Sequence, residues 1–70
     1  MTDKASKQIA RNLRKSRRQQ SLTQADLAKK AGLNSNYYAK IERGELKPSV
    51  ETLEKIIKAL KVKSSDIFPF

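Results

Sequence analysis

The feature that most constrains this chain is a segment in which two short helices must meet at a glycine. Residues 23–44 read TQADLAKKAGLNSNYYAKIERG. Thr23 is a good helix N-cap, and Asp26 lies three residues later, where a capping box places its acidic partner. Gly32 predicts the end of this helix, because glycine readily adopts the left-handed conformation that follows a helix C-terminus. The few residues that come next suit a tight turn into a second helix that crosses the first at a steep angle.

The second helix of the segment is predicted over residues 35–43, with Asn34 as its N-cap. At about 100° per residue, Tyr38 and Ile41 fall on one face and turn toward the core. The opposite face carries polar and basic side chains, which are Asn36, Lys40 and Arg43, with Ser35 and Tyr37 on its shoulders. Asparagine can pair with the major-groove edge of adenine, and lysine with that of guanine or with a phosphate. The face is a candidate for reading DNA, although three such residues taken alone more often form a solvated surface.

Helical patterns in the rest of the chain predict an all-α fold, a compact bundle of five short helices. Residues 4–20 contain no glycine or proline and are predicted to form the first helix, with a thin apolar stripe. Ser49 is a good cap for a fourth helix. The apolar residues of that helix recur at helical spacing and predict the main wall of the core: Val50, Leu53, Ile56, Ile57 and Leu60. A short final turn is capped by Ser64 or Ser65.

The charge of the chain favours a polyanionic partner. Sixteen Lys and Arg oppose seven Asp and Glu, a net charge of +9, and residues 1–22 hold seven of the bases against Asp3 alone. Such a field attracts nucleic acid or an anionic membrane surface, although bases on a small domain can also serve only to keep it soluble. The 70 residues contain no evident linker, so one domain is predicted over residues 1–70.

Composition excludes several kinds of site. The chain contains no cysteine and no histidine, which removes disulfides, thiolate metal sites and the usual general base. Its carboxylates form no evident pair of acid and base, so no enzymatic activity, metal site or cofactor is predicted. No apolar run approaches the roughly 18 residues of a membrane span, and no signal peptide is evident. A cytoplasmic protein without membrane contact is therefore expected.

The sequence resembles the lambda-repressor-like helix-turn-helix domains of the Cro/cI (XRE) group. The resemblance runs through LTQADLAKKAGLNSNYYAKIERGELKPSVETLEKIIKALKV and extends to SSDIF. The initial LTQ, the AG of the turn, the IERG ending and the PS before the fourth helix make it specific. Three positions depart from the family pattern: Ser21 replaces a glycine, Ser16 a leucine and Tyr38 an aliphatic residue. None lies on the predicted reading face, but a buried Tyr38 needs a partner for its hydroxyl.

The resemblance implies a sequence-specific, double-stranded DNA-binding transcriptional regulator. Such a repressor or controller would read a palindromic operator through its third helix in the major groove. The base-reading residues that the resemblance implies are Ser35, Asn36, Tyr37 and Lys40. The phosphate contacts that it implies are Thr23, Gln24 and Arg43. On the first helix, Arg14 and Arg18 are either part of a solvated surface or a phosphate-facing flank, and we assign them to the flank. The resemblance also implies an ion pair between Arg17 and Glu42.

A domain of this size buries little DNA surface, so a symmetric homodimer that reads two half-sites about 34 Å apart is expected. The predicted dimer surface lies on the last two helices and the C-terminus: Leu60, Val62, Ile67, Phe68 and Phe70. No small-molecule effector is evident. The alternative is a protein-interaction module, such as an antitoxin or a coactivator, in which DNA binding is secondary.

Overall fold

Residues 4–69 of the chain, the part that the computed structural model describes, form five α-helices and no strand. The helices are α1 (Lys4–Gln19), α2 (Gln24–Ala31), α3 (Ser35–Glu42), α4 (Val50–Leu60) and α5 (Ser64–Ile67). The predicted all-α fold with five short helices is confirmed, and the predicted first and third helices were each one residue too long. No helix within residues 4–69 is long and apolar enough to cross a membrane.

The turn between α2 and α3 has the predicted caps. Thr23 Oγ1 accepts a hydrogen bond from the Asp26 N–H at 2.9 Å, and Asp26 Oδ2 accepts one from the Thr23 N–H at 2.9 Å. Gly32 ends α2 with a φ of 71°, a left-handed conformation that glycine adopts without steric cost. Asn34 Oδ1 accepts from two backbone N–H groups in the first turn of α3. These local bonds fix where α3 begins.

The core lies between all five helices. The largest fully buried side chains are Leu13, Leu27, Tyr38, Ile41, Ile56, Leu60 and Ile67. Helix α2 packs against α3 and α4, and α1 packs against α3 and α5. Tyr38 and Ile41 turn inward as the helical periodicity predicted, with 0% and 1% exposure. The opposite face of α3 is therefore left on the surface.

Two expectations about the C-terminal half were wrong. Val50, predicted in the core wall, is 69% exposed, because it is the first residue of α4 and lies past the edge of the core. Helix α5 has Lys63 as its N-cap residue, whereas Ser64 or Ser65 was expected. The Asp66 carboxylate accepts a hydrogen bond from the Lys63 N–H at 3.0 Å, so the helix terminus needs no hydroxyl cap.

Ser21 carries the turn between α1 and α2 in a conformation that disfavours it. Its φ is 57°, in the left-handed region where a Cβ crowds the following carbonyl oxygen. The Ser21 N–H donates to the Arg18 carbonyl at 3.0 Å, and the Leu22 N–H to the Arg17 carbonyl at 3.2 Å. These bonds end α1 in the way that glycine usually ends a helix.

Replacing Ser21 with glycine should stabilise the chain by about 0.5 to 1 kcal/mol, since it removes the steric cost of the positive φ at a small cost in unfolded-state entropy. Thermal unfolding followed by circular dichroism measures the effect. Ser21→Ala retains a Cβ and should give no such gain. A lower melting temperature for Ser21→Gly than for Ser21→Ala would contradict the strain argument.

Candidate nucleic-acid interface

A buried ion pair holds the C-terminal end of α3 against α1. Glu42, the last residue of α3, is 2% exposed. Arg17 Nε donates to Glu42 Oε2 at 2.7 Å, and Arg17 Nη2 donates to Glu42 Oε1 at 3.0 Å. The third guanidinium nitrogen donates to the Leu22 carbonyl at 2.8 Å. The guanidinium and the carboxylate thus form a two-bond pair that fixes the angle between the helices.

Two more side chains donate to the same carboxylate. The Tyr38 hydroxyl donates to Glu42 Oε2 at 2.5 Å, and Gln24 Nε2 donates to Glu42 Oε1 at 3.2 Å. Gln24 is the first residue of α2, so the carboxylate joins α1, α2 and α3. Within residues 4–69, no buried side-chain nitrogen or oxygen lacks a hydrogen-bond partner. This convergence was not predicted from the sequence, although Tyr38 and Glu42 are four residues apart, a spacing that places side chains together on a helix.

These contacts keep Glu42 ionised and Tyr38 neutral. Burial alone would raise the pKa of Glu42, but the hydrogen bonds from Arg17, Tyr38 and Gln24 outweigh it and lower the pKa below its usual value. Burial raises the pKa of Tyr38, and the bond to Glu42 raises it further. The hydrogen bond to Glu42 raises the pKa of Arg17. At neutral pH this junction of Arg17, Gln24, Tyr38 and Glu42 therefore holds one negative charge, on Glu42, and one positive charge, on Arg17.

The predicted base-reading residues lie together on α3, outside this junction. Ser35, Asn36 and Lys40 are exposed, and Tyr37 is half-buried against the core. Arg43 follows directly after α3 and is also exposed. Its guanidinium is already engaged, since Nε lies 2.6 Å from Glu45 Oε2.

The predicted phosphate-contacting residues occupy two places. Thr23 and Gln24 lie at the start of α2, where Thr23 is exposed and Gln24 is half-buried. Arg14 lies on α1 beside the end of α3: its Nε is 3.7 Å from Glu42 Oε1, and its Nη2 donates to the Glu42 carbonyl at 3.4 Å. Arg18 is exposed one turn further along α1, and both arginines border the same shallow groove on that helix.

A small basic groove lies between α1 and the turn after α3, and it was not predicted from the sequence. Its volume is about 230 Å³, and its lining includes Lys7, Arg11, Arg14, Arg43 and Gly44. Gly44 has a φ of 74°, and a Cβ built there would lie 3.5 Å from Lys7 Cγ. The stem of Lys7 therefore covers the turn. The basic residues of α1 are visible in the sequence, but which of them approach α3 depends on how the two helices pack.

The dimer prediction requires a correction. Leu60 and Ile67 are both 0% exposed and belong to the core of the chain itself, so neither is free to contact a partner. The Ile67 carbonyl also accepts a hydrogen bond from Asn12 Nδ2 at 2.7 Å, which ties α5 to α1. Val62 and Phe68 are half-buried: both pack against the core, and part of each side chain reaches the surface. Phe70 lies outside the described residues.

A family model described as helix-turn-helix matches residues 13–67, and its span contains the capped turn and the whole of α3. The chain belongs to this helix-turn-helix family. The resemblance to helix-turn-helix domains of the Cro/cI (XRE) group is thus confirmed. Proteins of that group are DNA-binding transcriptional regulators.

Among its relatives, this helix-turn-helix chain is 39% identical over 59 residues to the immunity repressor protein of Bacillus phage phi105. The matched segment covers 84% of the chain and 41% of the repressor, so the chain spans about two fifths of that protein's length.

Two solved structures of restriction-modification controller proteins share the fold. The controller C.AhdI of Aeromonas hydrophila is 28% identical with a TM-score of 0.86, and the match covers 90% of this chain and 96% of that one. The controller C.Esp1396I, solved as a tetramer in complex with its natural 35 base-pair operator, is 31% identical with a TM-score of 0.85. That match covers 89% of this chain and 82% of the controller. The agreement extends beyond the helix-turn-helix to nearly the whole chain.

Arg17→Met should destabilise the chain by about 3 to 5 kcal/mol, because it leaves the Glu42 carboxylate buried without its counterion. Arg18→Met removes an exposed arginine on the same helix and should change the stability by less than about 0.5 kcal/mol. Urea unfolding of the two variants measures the difference. Equal midpoints would mean that the buried pair does not hold α1 against α3.

Acid should weaken the junction. Because the pKa of Glu42 is lowered on folding, the carboxylate contributes stability that is present above its ordinary value of 4.5 and lost as the pH falls through the lower folded-state pKa. Tyr38→Phe removes a donor that lowers this pKa, so the acid-induced loss of stability should be smaller in the variant and should be complete at a higher pH. Urea unfolding from about pH 7 to about pH 3 compares the two chains. Parallel pH profiles would contradict the role of the hydroxyl.

Proposed function

We propose that this chain is a sequence-specific, double-stranded DNA-binding transcriptional regulator that acts as a repressor or controller. The observation that carries the proposal is the exposed polar and basic face of α3, held rigidly by the buried carboxylate of Glu42. Membership of the family supports it. So do the relatives, one an immunity repressor and another a controller solved on its operator. No catalytic role is assigned to the chain, and a cytoplasmic location fits the proposal.

Side chains on the first turns of α3 read the base sequence of the DNA in the major groove. Asn36 can pair with adenine through its amide, and Lys40 can reach O6 and N7 of guanine. Ser35 and Tyr37 flank them, and the Tyr37 ring can contact a thymine methyl group or a phosphate. Tyr38 and Ile41 are buried on the other side of the helix, so the helix cannot rotate about its axis without unpacking the core.

Phosphate contacts position this face without specifying sequence. We assign them to Thr23 and Gln24 at the start of α2, to Arg43 after α3, and to Arg14 and Arg18 on α1. The Gln24 amide is oriented by its hydrogen bond to Glu42 Oε1 at 3.2 Å. This bond connects the residue proposed to contact a DNA phosphate with α3, the helix that reads the bases. The net charge of +9 favours the approach to DNA.

The chain is proposed to bind as a symmetric homodimer on a palindromic operator. One copy offers few base-reading residues, and two copies that place α3 in successive major grooves, about 34 Å apart, double the recognised sequence. We assign the dimer contact to Val62 and Phe68, whose side chains lie partly at the surface, and Phe70 stays a prediction from the sequence. Leu60 and Ile67 support this surface from the core.

Selection of binding sites from random duplex DNA with the purified chain tests the proposal. The expected product is an inverted repeat whose half-sites are separated by one helical turn, about 10 base pairs. Lys40→Ala should relax the preference at one position of each half-site by about 1 to 3 kcal/mol. Arg18→Ala should instead weaken binding to all sequences by a similar factor and reduce the salt dependence of the affinity.

Three outcomes would count against these assignments. If the selection enriches no sequence, the proposal of sequence-specific binding is wrong. An unchanged preference in a chain that carries both Asn36→Ala and Lys40→Ala would show that the reading face lies elsewhere. Sedimentation that finds only monomers on the selected duplex would exclude the homodimer.

A further inference from the structure

An acidic side chain lies next to the proposed DNA-reading face. Glu45, in the turn that follows α3, contacts the guanidinium of Arg43 at two points: Oε2 is 2.6 Å from Nε, and Oε1 is 3.4 Å from Nη2. The Glu45 N–H donates to the Lys40 carbonyl at 2.9 Å, which fixes the residue at the end of α3. Both side chains of the ion pair are about half exposed, at 49% and 52%.

The charge of Glu45 acts on the two basic residues of this face. The hydrogen bond from Arg43 lowers the pKa of Glu45, and the charges of Arg43 and Lys40 lower it further. Glu45 therefore remains ionised and cancels one of the two positive charges beside it. The buried carboxylate of Glu42 differs, because Arg17 neutralises it inside the protein.

We propose that Glu45 limits the affinity of the chain for DNA of any sequence by occupying the Arg43 guanidinium. The inference rests on the proposed function, in which Arg43 contacts the DNA backbone. A phosphate that approaches Arg43 must displace the Glu45 carboxylate or come to lie beside it. Either event reduces the gain from that contact, whatever bases the duplex contains. Glu45 thus sets the strength of binding, and α3 sets its sequence preference.

A role in folding does not account for the pair. An exposed ion pair contributes little to the stability of a protein, because water and salt screen it and both side chains lose freedom. The bond that ends α3 comes from the backbone N–H of Glu45, which a side-chain substitution leaves in place. Glu45→Gln should therefore keep the melting temperature of the unaltered chain.

The test measures DNA affinity of Glu45→Gln and of Glu54→Gln, which makes the same charge change at an exposed position on α4. Each chain is titrated against its selected operator duplex and against a duplex of unrelated sequence, over a range of salt concentrations. Glu45→Gln should bind both duplexes more tightly by a similar factor. Its plot of log affinity against log salt should steepen by about 0.9 for each protomer bound, so the gain per protomer is about eightfold larger at 0.1 M than at 1 M salt. Glu54→Gln should change the slope much less.

Combination with Arg43→Gln identifies the route. If Glu45 acts by occupying Arg43, Glu45→Gln should no longer raise the affinity of a chain that already carries Arg43→Gln. An undiminished gain in that background would overturn the proposal, as would equal behaviour of Glu45→Gln and Glu54→Gln. Weaker binding by Glu45→Gln would also overturn it, since the carboxylate would then orient Arg43 for DNA. Failure of the unaltered chain to bind any duplex would refute the proposed function itself.

Discussion

The buried carboxylate of Glu42 is the point at which α1, α2 and α3 are joined. It accepts hydrogen bonds from Arg17, Tyr38 and Gln24, and each donor belongs to a different turn or helix. A buried ion pair contributes little net stability compared with apolar side chains of the same size, but the loss of one partner is costly. The junction therefore acts chiefly as a geometric constraint, which allows few other arrangements of the helix that carries the reading face.

Two ion pairs near the end of α3 illustrate how burial changes the role of the same chemistry. The pair between Arg17 and Glu42 lies inside the protein, with side chains 11% and 0% exposed, and it fixes the helices. The pair between Arg43 and Glu45 lies at the surface, where it stabilises the fold little and can exchange partners with a phosphate. One pair positions the interface, and the other is proposed to set the strength with which it binds.

The small size of the chain explains why few large apolar residues remain at the surface once the core is formed. A core drawn from 70 residues needs nearly every large aliphatic side chain that faces inward. Leu60 and Ile67 are used in this way, so within residues 4–69 the predicted dimer residues that keep part of their side chains at the surface are the half-buried Val62 and Phe68.

Local chemistry determined the helices, their caps and the face of α3 that remains exposed. These follow from hydrogen bonds and periodicities within a few residues, such as the capping box of Thr23 and Asp26 or the inward spacing of Tyr38 and Ile41. The ion pair of Arg17 and Glu42, 25 residues apart, could be expected only from resemblance to a family.

Tertiary structure alone decided which side chains converge and where the core ends. How helices distant in sequence pack decides four features: the shared carboxylate of Glu42, the approach of Arg14 to α3, the exposure of Val50 and the burial of Ile67. Helical periodicity reports which face of a helix is apolar. It does not report how far along the helix a neighbour covers that face, because that boundary is set by the position of other helices.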